Sequence, residues 1–306
     1  MRAFTLIVLV CACSTTSSGG VADAGSDAGS AVRGGLDPVP FGGSRPVSLY
    51  VPSGYQPGAP TPLLLLLHGF SASGAIEETY LGLQPLAEAR TVLYAHPDGT
   101  KNADGAQFWN ATDACCNFEG STVDDSAYLA SLVAEVGTRY QVDPKRVFVV
   151  GQDNGGFMAY RMACDHADVV AGVVSFGGAM WENTARCTPV AAVTTVEIHG
   201  TADLEIAYAG MDAGFSADGG GYPSAAVSAA DWAAFDGCAT PSVAGPALRL
   251  GPGDGGTDTA VARFLSGCRS GSEADLWTMP DAGHVPIIGP GFATAVFDYL
   301  LAHPKP

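Results

Sequence analysis

A series of short, nearly unbroken apolar runs alternates along this chain with segments of helical periodicity. The runs are Pro62–Leu67, Thr91–Ala95, Arg146–Val150, Val169–Ser175, Val193–Ile198, Ala260–Leu265 and Ala274–Met279. A strand with one wet face would alternate apolar and polar residues. Most of these runs do not, so both of their faces need cover. The helical segments between and after them run from Thr122 to about Tyr140, from Asn154 to about Cys164, from Ser224 to Phe235 and from Phe292 to Leu301. In the first of these, Tyr128, Leu129, Leu132, Val133 and Val136 form one apolar stripe, and Thr122 with Asp125 three residues on has the pattern of a capping box. Strand and helix in alternation predict an α/β fold, with a mostly parallel sheet and helices on both faces. Ligands of such sheets bind beyond the carboxyl ends of the strands.

The chain has 306 residues, 47% hydrophobic and 15% charged, enough for one large core. The first residues stand apart from it. Arg2 and the apolar run Phe4 to Val10 precede Cys11-Ala12-Cys13, as in a bacterial secretion signal. Val10-Cys11-Ala12-Cys13 resembles a lipobox with Cys13 as the lipidated residue; an ordinary cleaved signal peptide is the other reading. The run is about half the length that spans a bilayer. Ser14 to about Gly35 is Ser, Gly, Ala and Asp with almost nothing to bury, which predicts a flexible tether. The expected division is a signal segment over 1–13, a linker over 14–35 and one domain over 36–306. The protein is therefore expected to be exported, either lipid-anchored to the cell envelope or extracellular.

That domain holds Cys115, Cys116, Cys164, Cys187, Cys238 and Cys268. An even count in an exported chain favours disulfides, and sequence leaves 15 pairings open. Cys238–Cys268 is the expected bridge, with the other four forming two more; adjacent cysteines seldom pair together. No C-x-x-C pair or Cys/His cluster has zinc spacing, so no metal is expected, and no cofactor either. A net charge of −17 argues against nucleic acid as a partner and leaves the lipid anchor as the only expected membrane contact.

Three polar residues stand just after predicted strands. Asp153 lies in Gly151-Gln152-Asp153-Asn154-Gly155-Gly156, Asp203 in His199-Gly200-Thr201-Ala202-Asp203, and His284 in Asp281-Ala282-Gly283-His284-Val285. Strand, glycine-rich turn and helix is the setting of the G-x-S-x-G nucleophile elbow, and the order nucleophile, acid, histidine is that of α/β-hydrolases. Here the central residue is Asp. In that fold the loop after His68-Gly69 and the residue after the nucleophile supply the oxyanion amides, which are those of Phe70 and Asn154 here. Trp109 and Trp181 follow segments expected to reach the rim; an aromatic wall and core packing are both open for them. His199 is read as orienting the Asp203 loop, and Asp124 and Asp125 as helix N-terminal acids. Only 17 residues, Phe176 to Ala192, separate two of the strands, which leaves no room for a large cap domain.

Over nearly the whole of Phe41 to Pro306 the chain resembles the secreted polyhydroxybutyrate depolymerase and feruloyl esterase group of α/β-hydrolases. The resemblance is carried by Leu67-His68-Gly69-Phe70, His96-Pro97-Asp98-Gly99-Thr100, Phe108-Trp109-Asn110-Ala111-Thr112, Cys115-Cys116, Val123-Asp124-Asp125, Asn154-Gly155-Gly156-Phe157-Met158, His199-Gly200-Thr201-Ala202-Asp203 and Gly283-His284. It implies hydrolysis of a small or polymeric ester, with Asp203 as acid, His284 as base and Asp153 where the group has its serine.

Asp at the elbow admits three readings. The first is an esterase site whose hydrolysis is impaired, because carboxylate attack on an ester gives a mixed anhydride. The second is a binding protein that keeps the esterase pocket. The third is an Asp-nucleophile hydrolase acting on halides or epoxides, in which His284 directs water at the resulting ester. Ser71 and Ser73, beside Phe70, are the nearby alternative nucleophiles.

Overall fold

The structure, a computed structural model, describes residues 32–214, 219–252 and 258–306. The lipidation candidate Cys13 and nearly all of the expected signal and linker lie outside the described residues.

Among the described residues, ten strands form one sheet. In chain order they begin with β1 (Gly35–Leu36), β2 (Tyr50–Val51), β3 (Thr61–Leu67) and β4 (Leu93–Ala95). A separate hairpin, β5 (Thr100–Lys101) with β6 (Gln107–Phe108), follows. The sheet continues with β7 (Val142–Gln152), β8 (Gly172–Phe176), β9 (Thr194–Gly200), β10 (Val243–Ala244), β11 (Ala260–Phe264) and β12 (Ala274–Met279). The helices are α1 (Gly74–Leu81), α2 (Gln84–Arg90), α3 (Asp125–Arg139), α4 (Asn154–Asp165), α5 (Ala225–Phe235) and α6 (Gly291–Ala302).

The spatial order is β1-β2-β4-β3-β7-β8-β9-β12-β11-β10. The six strands from β4 to β12 are parallel, and antiparallel strands extend both edges. Leu63 to Leu67 of β3 are all buried. Leu64 and Leu66 share a core cluster with Phe292, Val296 and Phe297 of α6. Successive strand residues point to opposite faces. Leu63, Leu65 and Leu67 therefore face the other layer, where α4 packs on β3, β7 and β8 and α3 packs on α4. This is the expected α/β-hydrolase sheet. The segment between β8 and β9 carries one 3-10 turn, Thr184–Arg186, and no cap domain.

Element boundaries shift where side chains compete with the pattern. The helix expected from Thr122 starts at Asp125, because the Asp124 carboxylate accepts from Ala127 N at 3.0 Å and caps it there. Asp125 turns inward instead of serving the helix end. It accepts from Arg45 Nη1 at 2.6 Å and Asn110 N at 2.7 Å. The strand expected from Val169 begins at Gly172, since Val169 and Val170 still donate to His166 O in a turn.

Cys238 is bonded to Cys268 and Cys164 to Cys187. The remaining pair is Cys115–Cys116, which corrects the expectation that neighbours would not pair. Once Cys164 on α4 reaches Cys187 in the β8–β9 loop, the two adjacent cysteines are each other's remaining partners.

Candidate active site

Parallel strands end at one edge of the sheet, so residues far apart in the chain meet there. β7 ends at Gln152, β9 at Gly200 and β12 at Met279. Asp153, Asp203 and His284 lie just beyond these ends. His284 places Nδ1 2.8 Å from Asp203 Oδ2 and Nε2 3.7 Å from Asp153 Oδ1.

The turn at Asp153 is tight enough to dictate its neighbours. A Cβ on Gly151 would sit 2.0 Å from Gly155 O, and one on Gly155 would sit 2.2 Å from Leu67 O. Asp153 itself has φ 52° and ψ −123°, a strained conformation for a residue with a side chain. Its own amide is anchored on Phe176 O at 2.9 Å.

Asp153 Oδ2 accepts from Phe70 N at 2.7 Å. The carboxylate thus occupies the Phe70 amide. Burial raises its pKa, opposed by the His284 charge and by the Phe70 and Asn154 amides. Burial also works against the His284 cation, but the Asp203 bond and the Asp153 and Asp203 charges win and raise that pKa. For Asp203, burial is outweighed by the bonds from His199 and His284, which hold its carboxyl well below the usual range.

Behind Asp203 lies a further buried pair. His199 places Nδ1 2.9 Å from Glu197 Oε1 and Nε2 2.8 Å from Ile206 O and 3.4 Å from Asp203 Oδ2. Burial disfavours its cation, yet these acceptors push its pKa up to about 10. Carboxyl and imidazole groups therefore alternate from Glu197 through His199, Asp203 and His284 to Asp153, with burial raising the pKa of both end carboxyls. Asp203 Oδ1 accepts from the amides of Glu205 and Ile206 at 2.9 and 3.0 Å, which fixes the acid loop.

Asn154 is fully buried. Its side chain locks onto the Trp109 backbone, with Oδ1 2.6 Å from Trp109 N and Nδ2 3.0 Å from Trp109 O. Trp109 is itself fully buried, with Nε1 donating to His68 O at 3.0 Å; it braces the site from within and forms no rim. Trp181 lines a separate cavity of about 490 Å³ with Arg161 and Arg186, which pair with Asp165 and Asp113. Neither tryptophan walls the space above Asp153.

That space is a cavity of about 330 Å³ lined by Phe70, Phe118, Ile206, Met211, Tyr222 and the Cys115–Cys116 pair, among others. Phe118, Met211 and Tyr222 carry no signal in the sequence, because they come from loops without periodicity; the Phe70–Phe118 ring contact at 5.0 Å forms only in three dimensions. Ser71 also lines this cavity, whereas the Ser73 hydroxyl caps α1. Cys115, Cys116 and Asp153 bring potential ligand atoms within 4.8 Å of one another, but the two sulfurs are bonded to each other and offer no thiolate to a metal.

The family model described as "Putative esterase" matches residues 40–213. The "Putative esterase NocK" of Nocardia uniformis subsp. tsuyamanensis is 32% identical over 153 residues, which are 48% of this chain and 43% of that protein. "Feruloyl esterase B" of Piromyces equi is 25% identical over 247 residues, 78% of this chain and 42% of that protein. The chain thus spans less than half the length of these two relatives. In fold it is similar to the acetyl xylan esterase from Aspergillus awamori, with a TM-score of 0.61 and 16% identity over 87% of this chain and 99% of that one.

Proposed function

Since the chain belongs to the esterase family of α/β-hydrolases, we propose that it is an exported carboxylic ester hydrolase of the polyhydroxybutyrate depolymerase and feruloyl esterase type, with hydrolysis suppressed by Asp153. The observation that carries this reading is the Asp153 Oδ2–Phe70 N bond of 2.7 Å beside an Asp203–His284 pair at 2.8 Å. With serine at 153, His284 Nε2 would take the hydroxyl proton as Oγ attacks the ester carbonyl, and the Phe70 and Asn154 amides would stabilise the resulting oxyanion. Asp203 would hold the imidazolium, which then protonates the leaving alkoxide. With aspartate there, one carboxylate oxygen takes the oxyanion position. Its charge also favours protonated His284, which cannot act as a base.

Unmodified protein is expected to hydrolyse short-chain aryl esters near the background rate. Asp153→Ser should raise the rate by about a hundredfold or more, and adding His284→Ala should abolish the gain. A vigorous unmodified esterase that His284→Ala does not slow would sink the assignment.

The same geometry favours one second reading. With Oδ2 held by Phe70, Asp153 Oδ1 is left facing His284 across 3.7 Å. It could attack a saturated carbon, displacing a halide ion or opening an epoxide whose alkoxide takes a proton from solvent, and water that gives its proton to His284 would then hydrolyse the aspartyl ester. Mass spectrometry of His284→Ala protein after incubation with an epoxide distinguishes the two, because only this reading leaves an adduct on Asp153.

Export rests on the apolar run ahead of Cys13 and the three disulfides. Fractionation of cells expressing the full chain is expected to find it with membranes, and Cys13→Ser is expected to release it.

A further inference from the structure

α1 is built against its own pattern. In its first turn, Ile76 is 60% exposed and Glu77 only 3%. Burying a carboxylate is costly unless it is hydrogen-bonded, and exposing the isoleucine adds to that cost. Glu77 Oε2 accepts from Gly69 N at 3.2 Å, while Oε1 is buried and has no hydrogen-bond partner.

Gly69 carries the loop that supplies the Phe70 amide, and two peptide planes set that amide's direction. In the His68–Gly69 plane, the carbonyl is held by Trp109 Nε1 at 3.0 Å and the N–H by Glu77. In the Gly69–Phe70 plane, the carbonyl accepts from His68 Nδ1 at 2.8 Å and Ala72 N at 3.1 Å. His68 Nε2 accepts from Gly99 N, so the ring proton is on Nδ1. In a trans peptide the N–H points opposite the carbonyl. With its carbonyl tied down, this plane presents Phe70 N–H to Asp153, and how it is turned follows from the His68–Gly69 plane joined to it at the Gly69 Cα. Gly69 also abuts the elbow, since a Cβ there would lie 2.7 Å from Gln152 Oε1 and 3.0 Å from Asp153 Oδ2.

We propose that Glu77 is a positioning residue for the oxyanion amide: its carboxylate fixes the His68–Gly69 plane and thereby the aim of Phe70 N–H. This rests on the esterase reading of Phe70 but not on the identity of residue 153. The hold is charge-assisted when Glu77 is ionised and weaker when it is protonated. Burial pushes this carboxyl up to about 7, opposed by the Gly69 amide, with Asp153 raising it and His284 lowering it. The Tyr80 and Tyr94 phenols also feel its charge.

The test has two arms. In unmodified protein, the Gly69 and Phe70 amide signals are followed by NMR from pH 5 to 9. A shared midpoint near 7 is expected, and Glu77→Gln, which keeps an acceptor oxygen but cannot titrate, should remove it. In the Asp153→Ser background, Glu77→Gln should keep kcat within about threefold, and Glu77→Leu should lower it by about tenfold or more with KM little changed, as expected for a misaimed transition-state donor. Absence of the shared titration, or undiminished kcat in a folded Glu77→Leu variant, overturns the proposal. If Asp153→Ser is itself inactive, the esterase reading fails and the amide titration still decides the role of Glu77. The same titration decides if Glu77→Leu does not fold.

Discussion

A carboxylate at position 153 changes the charge that His284 sees. His284 has two acidic neighbours, Asp203 at 2.8 Å and Asp153 at 3.7 Å, and both help to raise its pKa against burial. Asp153→Ser removes one of them and leaves the Asp203 bond in place. The His284 pKa should therefore fall in that variant, as read from imidazole NMR signals against pH. No downward change would mean that the two side chains are not coupled. The direction matters for chemistry, because a lower value leaves more neutral imidazole to act as base.

Elements that lie between two layers announce themselves. Leu63 to Leu67, Phe148 to Val150 and Val173 to Val174 are apolar because neither face meets water, and each was legible from its run alone. Asp153, Asp203 and His284 meet at one sheet edge for a related reason, since each follows such a run and parallel strands end together. α1 was not legible, because it turns Glu77 inward and Ile76 outward and so carries no apolar stripe. β5 and β6, of two residues each, are too short to show a period. The cavity lining escaped for the same cause: Phe118, Met211 and Tyr222 come from irregular loops. The burial of Trp109 depends on the Asn154 side chain that clasps its backbone, a contact between residues 45 apart. The Cys115–Cys116 bond depends on where Cys164 finds its partner.

The whole molecule stores protons in its interior. Burial raises Glu77 and Asp275 to about 7 and Asp236 to about 6. Stability from such raised acids is complete below their unfolded values near 4 and is lost as pH climbs through the folded ones. His199, raised to about 10, adds stability that is complete below about 6.5 and is lost on the alkaline side. Asp203 works the other way; its contribution is present above about 4 and is lost as pH falls toward its depressed value. Thermal melting should accordingly be highest in mildly acidic buffer, with Tm declining from about pH 5 to pH 8. A Tm that rises over that interval would contradict the assignment of these groups. The outer strands of the sheet, β1 and β10, are two residues each. A row of unpaired backbone groups that short gives another chain almost nothing to zip onto, so a crowded population of these molecules can keep ten strands in register without any of them serving as a seed for fibres.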